Sequence, residues 1–535
     1  MTEKRYALGV DFGTLSARAV LVRLDGGSVE GSASFPYAHG VFPLPEGARE
    51  SGRRLELQDP ADYLEALETT VRQVTRDIDP AQIAGIGIDF TSCTCLPLAE
   101  DLTPLCRMEA FRSSPDAYVK LWRSTALEEG ERVRQAAEAR HVAWLRNTGG
   151  RVSAEWLLPK MLETMEHAPR VYEATAYYME AGDWLVSLMC GEKVRSENLA
   201  AFKNFYLDGY PDRAFFRAVS PEWDDVLAGP LRGRVVRVGE KAGVLTKDAA
   251  ARLGLCEGTP VAAAMTDAHI GVLTAGLTSP GDMLSIFGTS ACHILQEDHE
   301  ALPTGIAGWT RDGILPGLWS YEANQLMGDG FECFVQRFCP ERVRREAEQN
   351  GESVYAALNA AVRDMKPGQS GLTVLDWFGG NRCVLGDGAL TGVIAGLTHR
   401  TEPAEIWHAL LEAAAFSMRM IRDNFTHFGL RVKRIVAMGG LANKNALLMQ
   451  IVSDVLNQEI EICAAPEGAA QGSAIYAAAV SAYAGVAEAV RAMASGTGLI
   501  YRPRADAAAA YEGLYARFAA LHDLLGREHP ELIRR

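Results

Sequence analysis

Tyr6-Ala7-Leu8-Gly9-Val10-Asp11-Phe12-Gly13-Thr14-Leu15-Ser16-Ala17-Arg18-Ala19-Val20-Leu21-Val22-Arg23-Leu24 decides the fold. A short apolar run to Asp11 reads as a strand. Phe12-Gly13-Thr14 reads as a turn, and Ala17 to Leu24 as a second strand. The result is a hairpin with an acid at its mouth. Asp59-Pro60 then fits an N-cap followed by proline at the first helical position. Tyr63, Leu64, Leu67, Val71 and Val74 form an apolar stripe that predicts a helix to about residue 78. Ile83 to Phe90 reads as a buried strand. Hairpin, helix and strand together make an α/β unit.

The same order recurs downstream. Met283 to Phe287 and Ala291 to Leu295 are strands flanking Gly288-Thr289-Ser290. After a long insertion, Trp407, Leu410, Leu411, Ala414, Met418, Ile421, Phe425 and Phe428 fit one helical face, and Gly429 ends it. Arg434 to Met438 is a strand running into Gly439-Gly440. A helix from about Asn443 to Leu456, a strand at Glu459 to Ile462 and a last Ala-rich helix follow. A duplicated fold is expected, with its boundary in the turn-rich stretch Leu277-Thr278-Ser279-Pro280-Gly281. The two domains are 1–277 and 278–535.

Bulk composition narrows the function classes. The chain has 535 residues, so two or three domains of about 100–200 residues are expected. The formal charge of −15 disfavours nucleic acid and anionic membranes as main partners. The ten cysteines show no CxxC pair, which fits reduced thiols and a cytoplasmic location. No signal-peptide core follows Met1. No apolar run reaches the roughly 18 residues of a membrane helix. Neither a GxxxxGK[ST] phosphate loop nor a protein-kinase HRD is present.

Three glycine turns sit at strand ends: Asp11-Phe12-Gly13-Thr14, Gly288-Thr289-Ser290 and Gly439-Gly440-Leu441. Glycine lets backbone N–H groups approach an oxyanion, and the hydroxyls add donors. Hairpin turns also hold glycine for geometry alone. Asp11 makes sense near phosphate when Mg²⁺ lies between them, through water; otherwise it is an Asx-turn acid. Asp267 follows the apolar strand Pro260 to Met265, ahead of a helix start. It is either a site acid or an N-cap. His269 reads as structural.

Asp11-Phe12-Gly13-Thr14 with Ser16 and Arg18, Thr266-Asp267-Ala268-His269, Gly288-Thr289-Ser290 and Met438-Gly439-Gly440-Leu441-Ala442-Asn443-Lys444-Asn445 resemble the FGGY carbohydrate kinases. The match runs in order from Tyr6 to about Ala484. It resembles most closely the members acting on ribulose, through Gly87 to Thr94, Lys203, Tyr321 to Gln325, Gly328-Asp329 and Asp376 to Arg382.

The resemblance implies two ribonuclease-H-like domains of the actin and hexokinase type, facing each other across a cleft. The N-terminal one would bind sugar and the C-terminal one nucleotide. It implies ATP and Mg²⁺ as cofactors and a ketopentose as substrate, L-ribulose first, with D-ribulose or xylulose as alternatives. A non-catalytic ATP-binding module is a further alternative, and a homodimer is left open.

By the same resemblance, Asp267 is the general base. Ser92, Lys203, Asp267 and Glu322 line the sugar. Gly13, Thr14, Arg18, Gly288, Thr289 and Ser290 lie at the phosphates, Gly439, Gly440 and Asn443 at the nucleotide, and Asp11 at the metal. The bland readings are a solvated loop lysine for Lys203 and a surface helix-start acid for Glu322. The sequence departs from the family after Gly380, where Arg382 precedes Cys383-Val384 and Asp387 precedes Gly388. Trp184, Trp319 and Trp377 are candidates for ligand stacking or for core.

Overall fold

The computed structural model describes residues 3–43, 53–465 and 467–535. It divides into two compact units. The first is 1–278 with 309–320 and 465–495. The second is 279–308, 321–464 and 496–535. A single cut at 277/278 therefore gives way to an exchange, in which a late segment folds with the early one.

In the first unit, β1 (Tyr6–Phe12) pairs antiparallel with β2 (Ser16–Arg23), which pairs with β3 (Val29–Pro36). Helix α1 (Pro60–Val74) starts on Asp59, whose side chain accepts the Ala61 N–H at 2.9 Å. It buries Tyr63, Leu67 and Val71 and stops at Val74, short of residue 78. Its return strand β4 (Ile83–Phe90) is buried at all eight positions and lies parallel to β1. After β4 come β5 (Cys95–Leu98), α2 (Leu157–His167), β6 (Tyr177–Glu180), α3 (Ala181–Cys190) and α4 (Glu197–Lys203). Strands β7 (Pro260–Ala262) and β8 (Met265–Thr266) then run into α5 (Asp267–Thr274).

The second unit repeats the plan. β9 (Asp282–Phe287) pairs antiparallel with β10 (Ser290–Glu297). β11 (Trp319–Leu326) follows, and then α6 (Pro403–His427). The α6 N-terminus carries a reciprocal Glu402–Glu405 capping box, worth about 1 kcal/mol. β12 (Arg434–Met438) lies parallel to β9, as β4 does to β1. The single helix expected from about residue 443 is two. Helix α7 (Gly440–Lys444) is broken from α8 (Ala446–Leu456) by Asn445, whose side chain accepts the Leu448 N–H at 3.0 Å and so caps α8. β13 (Ile460–Cys463) lies beside β12.

The Ala-rich helix α9 (Gly468–Ala479) belongs to the first unit. Its composition follows from its position against the strand backbones. A Cβ on Gly9 would meet Ala470 O at 1.9 Å, and one on Gly87 would meet Ser473 O at 2.4 Å. Only glycine on the sheet and small residues on the helix permit that approach. β14 (Thr497–Tyr501) and α10 (Ala505–Asp523) complete the second unit. All ten cysteines are free. Among the described residues, no helix is long and apolar enough to cross a membrane.

Candidate active site

Asp11 lies next to the end of β1. Its cross-strand partners are Arg18 on β2 and Asp89 on β4. Facing positions on neighbouring strands share a face, so two acids and a base crowd one patch. Asp89 is fully buried; its Oδ2 accepts the Ser473 hydroxyl at 2.7 Å. Burial raises the Asp89 carboxyl far above its ordinary range, and the charge of Asp11 adds to this. Burial also raises Asp11, against a hydrogen bond from Asp89 and the charge of Arg18. Of the two carboxyls, burial favours the protonated form of Asp89 more strongly. A half-buried Asp11 carboxylate is a hard oxygen donor of the kind Mg²⁺ takes. Among the described residues, the one group of three or more His, Cys, Asp or Glu with ligand atoms all within 4.8 Å is Glu297, Asp298 and His299, in the second unit.

The turn after β1 is held firmly. Gly13 N–H donates to Ser16 O at 3.0 Å. Thr14 O accepts from Gln58 Nε2 at 2.7 Å, and Thr14 Oγ1 from Trp122 Nε1 at 3.2 Å. Arg18 Nη1 is ion-paired with Glu467 at 2.6 Å, so its charge is already engaged.

Asp267 is the first residue of α5, and Thr266 is the N-cap. Asp267 Oδ1 accepts the Ala268 N–H at 2.7 Å. Thr266 N–H donates to Asn198 Oδ1 at 2.9 Å, which ties the start of α5 to α4. His269 is fully buried, 3.0 Å from Asn198 Nδ2 and with its ring 4.2 Å from that of Phe202 at a tilt of 49°, which is a structural placement. Lys203 is the last residue of α4 and is buried, so it is not a loop lysine. Ser92 is half-buried in the β4–β5 loop.

In the second unit the turn after β9 is one residue shorter than that after β1. Gly288 N–H donates to Ser290 O at 3.1 Å, and Thr289 is exposed. Glu322 lies within β11 at 5% exposure, so it is not a surface helix start; its Oε1 accepts from Asn324 Nδ2 at 3.1 Å. Gly439 has φ 101°, and a Cβ there would meet Phe287 O at 2.6 Å. Gly440 is exposed, with no atom within 4 Å of its Cβ position. Asn443 is exposed on α7 and donates to Gly439 O at 3.1 Å. The departing loop is anchored instead of open: Asp387 Oδ1 accepts the Ala389 N–H at 2.9 Å, and Arg534 Nε donates to its Oδ2 at 3.0 Å. Trp184 and Trp377 are buried, the former donating to Leu102 O at 2.9 Å, and act as core. Gln58, Trp122, Asp89 and Asn198 were not singled out from sequence. Of these, only Asp89, an acid ending an apolar strand, carried a local signal.

Residues 6–274 match the model of the N-terminal domain of the FGGY family of carbohydrate kinases, and residues 283–481 that of its C-terminal domain. The ribulokinase of Bacillus licheniformis is 41% identical, covering 96% of each chain. That of Mycolicibacterium smegmatis is 38% identical over 99% of this chain and 96% of its own. The solved xylulose kinase of Rhodospirillum rubrum aligns with a TM-score of 0.78 at 24% identity, covering 97% of this chain and 99% of that one. A gluconate kinase from Lactobacillus acidophilus aligns with a TM-score of 0.77 at 16% identity, over 98% and 99%. These structural likenesses establish the two-domain α/β fold of the actin and hexokinase type. The chain belongs to the FGGY family of carbohydrate kinases.

Proposed function

We propose that this kinase transfers a phosphoryl group from ATP to a ketopentose, converting L-ribulose to L-ribulose 5-phosphate. The observation that carries the reading is Asp267, a half-buried acid at the first position of α5, tied through Asn198 to the helix that ends in Lys203. The full-length relatives named ribulokinase support the choice of sugar.

A sugar hydroxyl is a poor nucleophile, and a carboxylate within hydrogen-bond reach takes its proton as the phosphoryl group transfers. The first turn of a helix favours negative charge, which suits a base at Asp267. Ser92, Lys203 and Glu322 supply a hydroxyl, an ammonium and a carboxylate, a set matched to a polyol's donors and acceptors. Gly13, Thr14, Gly288, Thr289 and Ser290 are assigned to phosphate oxygens, and Gly439, Gly440 and Asn443 to the nucleotide. Arg18, paired with Glu467, is assigned to setting the charge at Asp11. Magnesium held through water at Asp11 would neutralise phosphate charge.

The test is an ADP-release assay across ketopentoses and pentitols. L-ribulose should give the highest kcat/KM. Higher efficiency on xylulose or D-ribulose would reassign the sugar, and no turnover on any ketopentose would overturn the reading.

A further inference from the structure

Near Ser92 and Lys203 lie two buried ionisable side chains, Glu180 and Lys160, to which the chemistry above gives no task. Glu180, the last residue of β6, is 1% exposed, and Lys160 on α2 is fully buried. Burying an acid and an amine is unfavourable unless both are well bonded, so such a pair calls for a local reason. The reason lies in the β4–β5 loop. Cys93 there is left-handed, with φ 63°, a conformation that non-glycine residues take only when held.

Lys160 and Glu180 reach this loop from two sides. The Cys93 carbonyl accepts from Lys160 Nζ at 2.6 Å, and Cys95, two residues on, is the cross-strand partner of Glu180. Lys160 Nζ also donates to Leu121 O at 2.9 Å. Glu180 reaches further: its carboxylate accepts from Asn204 Nδ2 at 3.2 Å. The rest of the loop is braced by the Thr91–Thr94 hydroxyl pair at 2.8 Å and by Ala181 N–H on Thr94 O at 2.7 Å. α2 is itself fixed, because Lys120 Nζ donates to Lys160 O at 3.2 Å and pairs with Glu163 at 2.7 Å. Ser92 immediately precedes Cys93, and Lys203 immediately precedes Asn204. Lys160 therefore bonds to the residue following Ser92, and Glu180 to the residue following Lys203.

We infer that Glu180 and Lys160 are positioning residues that clamp the left-handed turn at Cys93 to the end of α4, setting the separation of Ser92 and Lys203 and so the discrimination among ketoses. The inference rests on the assignment of Ser92 and Lys203 to the ketose. Neither member of the pair needs to touch substrate. Misplacement of a binding group by about 1 Å can cost as much as about 100-fold.

The test compares purified Lys160→Met, Glu180→Gln and Glu180→Ala with wild type. The clamp predicts a rise of about tenfold or more in ketose KM for Lys160→Met and Glu180→Ala. ATP KM and kcat should stay near wild type, and the ribulose-to-xylulose ratio of kcat/KM should narrow. Glu180→Gln keeps an acceptor oxygen and should fall between wild type and Glu180→Ala. Equal shifts in ketose and ATP KM, a loss confined to kcat, or an unchanged isomer ratio would overturn the clamp. If the charge-removing variants do not fold, Asn204→Ala cuts only the α4 link. It should still raise ketose KM selectively, and an unchanged value would overturn the inference. Ser92→Ala and Lys203→Met, run alongside, separate the two claims. If they leave ketose KM alone, the sugar-site reading fails and the clamp with it. If they raise it while the clamp variants do not, the clamp alone fails.

Discussion

Gly439 and Gly440 are adjacent glycines with opposite reasons to be glycine, and Gly440→Ala separates protein packing from nucleotide contact. At Gly440 the backbone is helical, and a methyl group would meet no protein atom within 4 Å. Alanine in a helix is favoured over glycine by up to about 1 kcal/mol. The melting temperature should therefore hold or rise slightly. The proposed nucleotide, however, approaches this bare backbone. An inserted methyl in a filled contact costs about 1–3 kcal/mol, and about 1.4 kcal/mol is tenfold in affinity. The ATP KM should rise about tenfold or more, with ketose KM unchanged. Gly439→Ala is the contrast. Its φ of 101° and the 2.6 Å approach to Phe287 O, where ordinary contact begins at 3.4 Å, predict a folding loss as well. That loss is about 1–3 kcal/mol from the strained backbone alone. Both can be read from coupled ADP-release kinetics with thermal melts. A Gly440→Ala enzyme with wild-type ATP KM would refute the nucleotide contact.

Asp11→Ala should raise the magnesium needed for half-maximal rate and lower kcat, and a magnesium titration superposing on wild type would remove Asp11 from the metal site. Lys203→Met and Glu322→Gln should raise ketose KM far more than ATP KM, by about 1.5–3 kcal/mol each, the range for hydrogen bonds to charged groups; equal shifts for both substrates would move them out of the sugar site. Asp183, buried at the start of α3 with its Oδ1 accepting the Ser196 N–H at 2.8 Å, is pushed by burial up to about 8. Its folded form holds a proton that the unfolded chain releases near pH 4, so wild-type stability should fall as pH rises from about 4 to about 8. Asp183→Asn lacks that term. Its melting temperature relative to wild type should climb across the same window and then level off; a difference independent of pH would contradict the assignment.

Local chemistry made half of this molecule legible. The hairpin at Asp11, the Asp59-Pro60 helix start and the second hairpin at Gly288 are short-range signals, and each lies where the pattern puts it. The return of α9 to the first unit was not legible. It rests on Gly9 and Gly87 meeting Ala470 and Ser473, partners nearly the whole chain apart that share no local pattern. Lys203 was read as loop because α4 is seven residues long, too short for a helical period to show. The surface alternative for Glu322 stayed open in sequence because β11 is largely buried on both faces, which removes the alternation that marks a half-exposed strand. Asn445 looked like helix interior until its side chain was seen capping α8. Asp11 and Asp267 stand out in the sequence as candidates because charge at the end of an apolar strand is conspicuous. Asn198, which holds Thr266, and Gln58 and Trp122, which hold Thr14, are ordinary in sequence and make these bonds only through tertiary contacts.

The central claim is that Asp267 takes the proton from a ketopentose hydroxyl as ATP gives up its phosphoryl group. Its most direct test is ADP release by wild type and Asp267→Asn side by side, at saturating ATP, magnesium and L-ribulose, with nucleotide affinity measured separately. The account predicts sustained turnover by wild type, a loss of about 10²–10⁴ in kcat for Asp267→Asn, and little change in ATP affinity. An Asn variant that turns over at near the wild-type rate would contradict it.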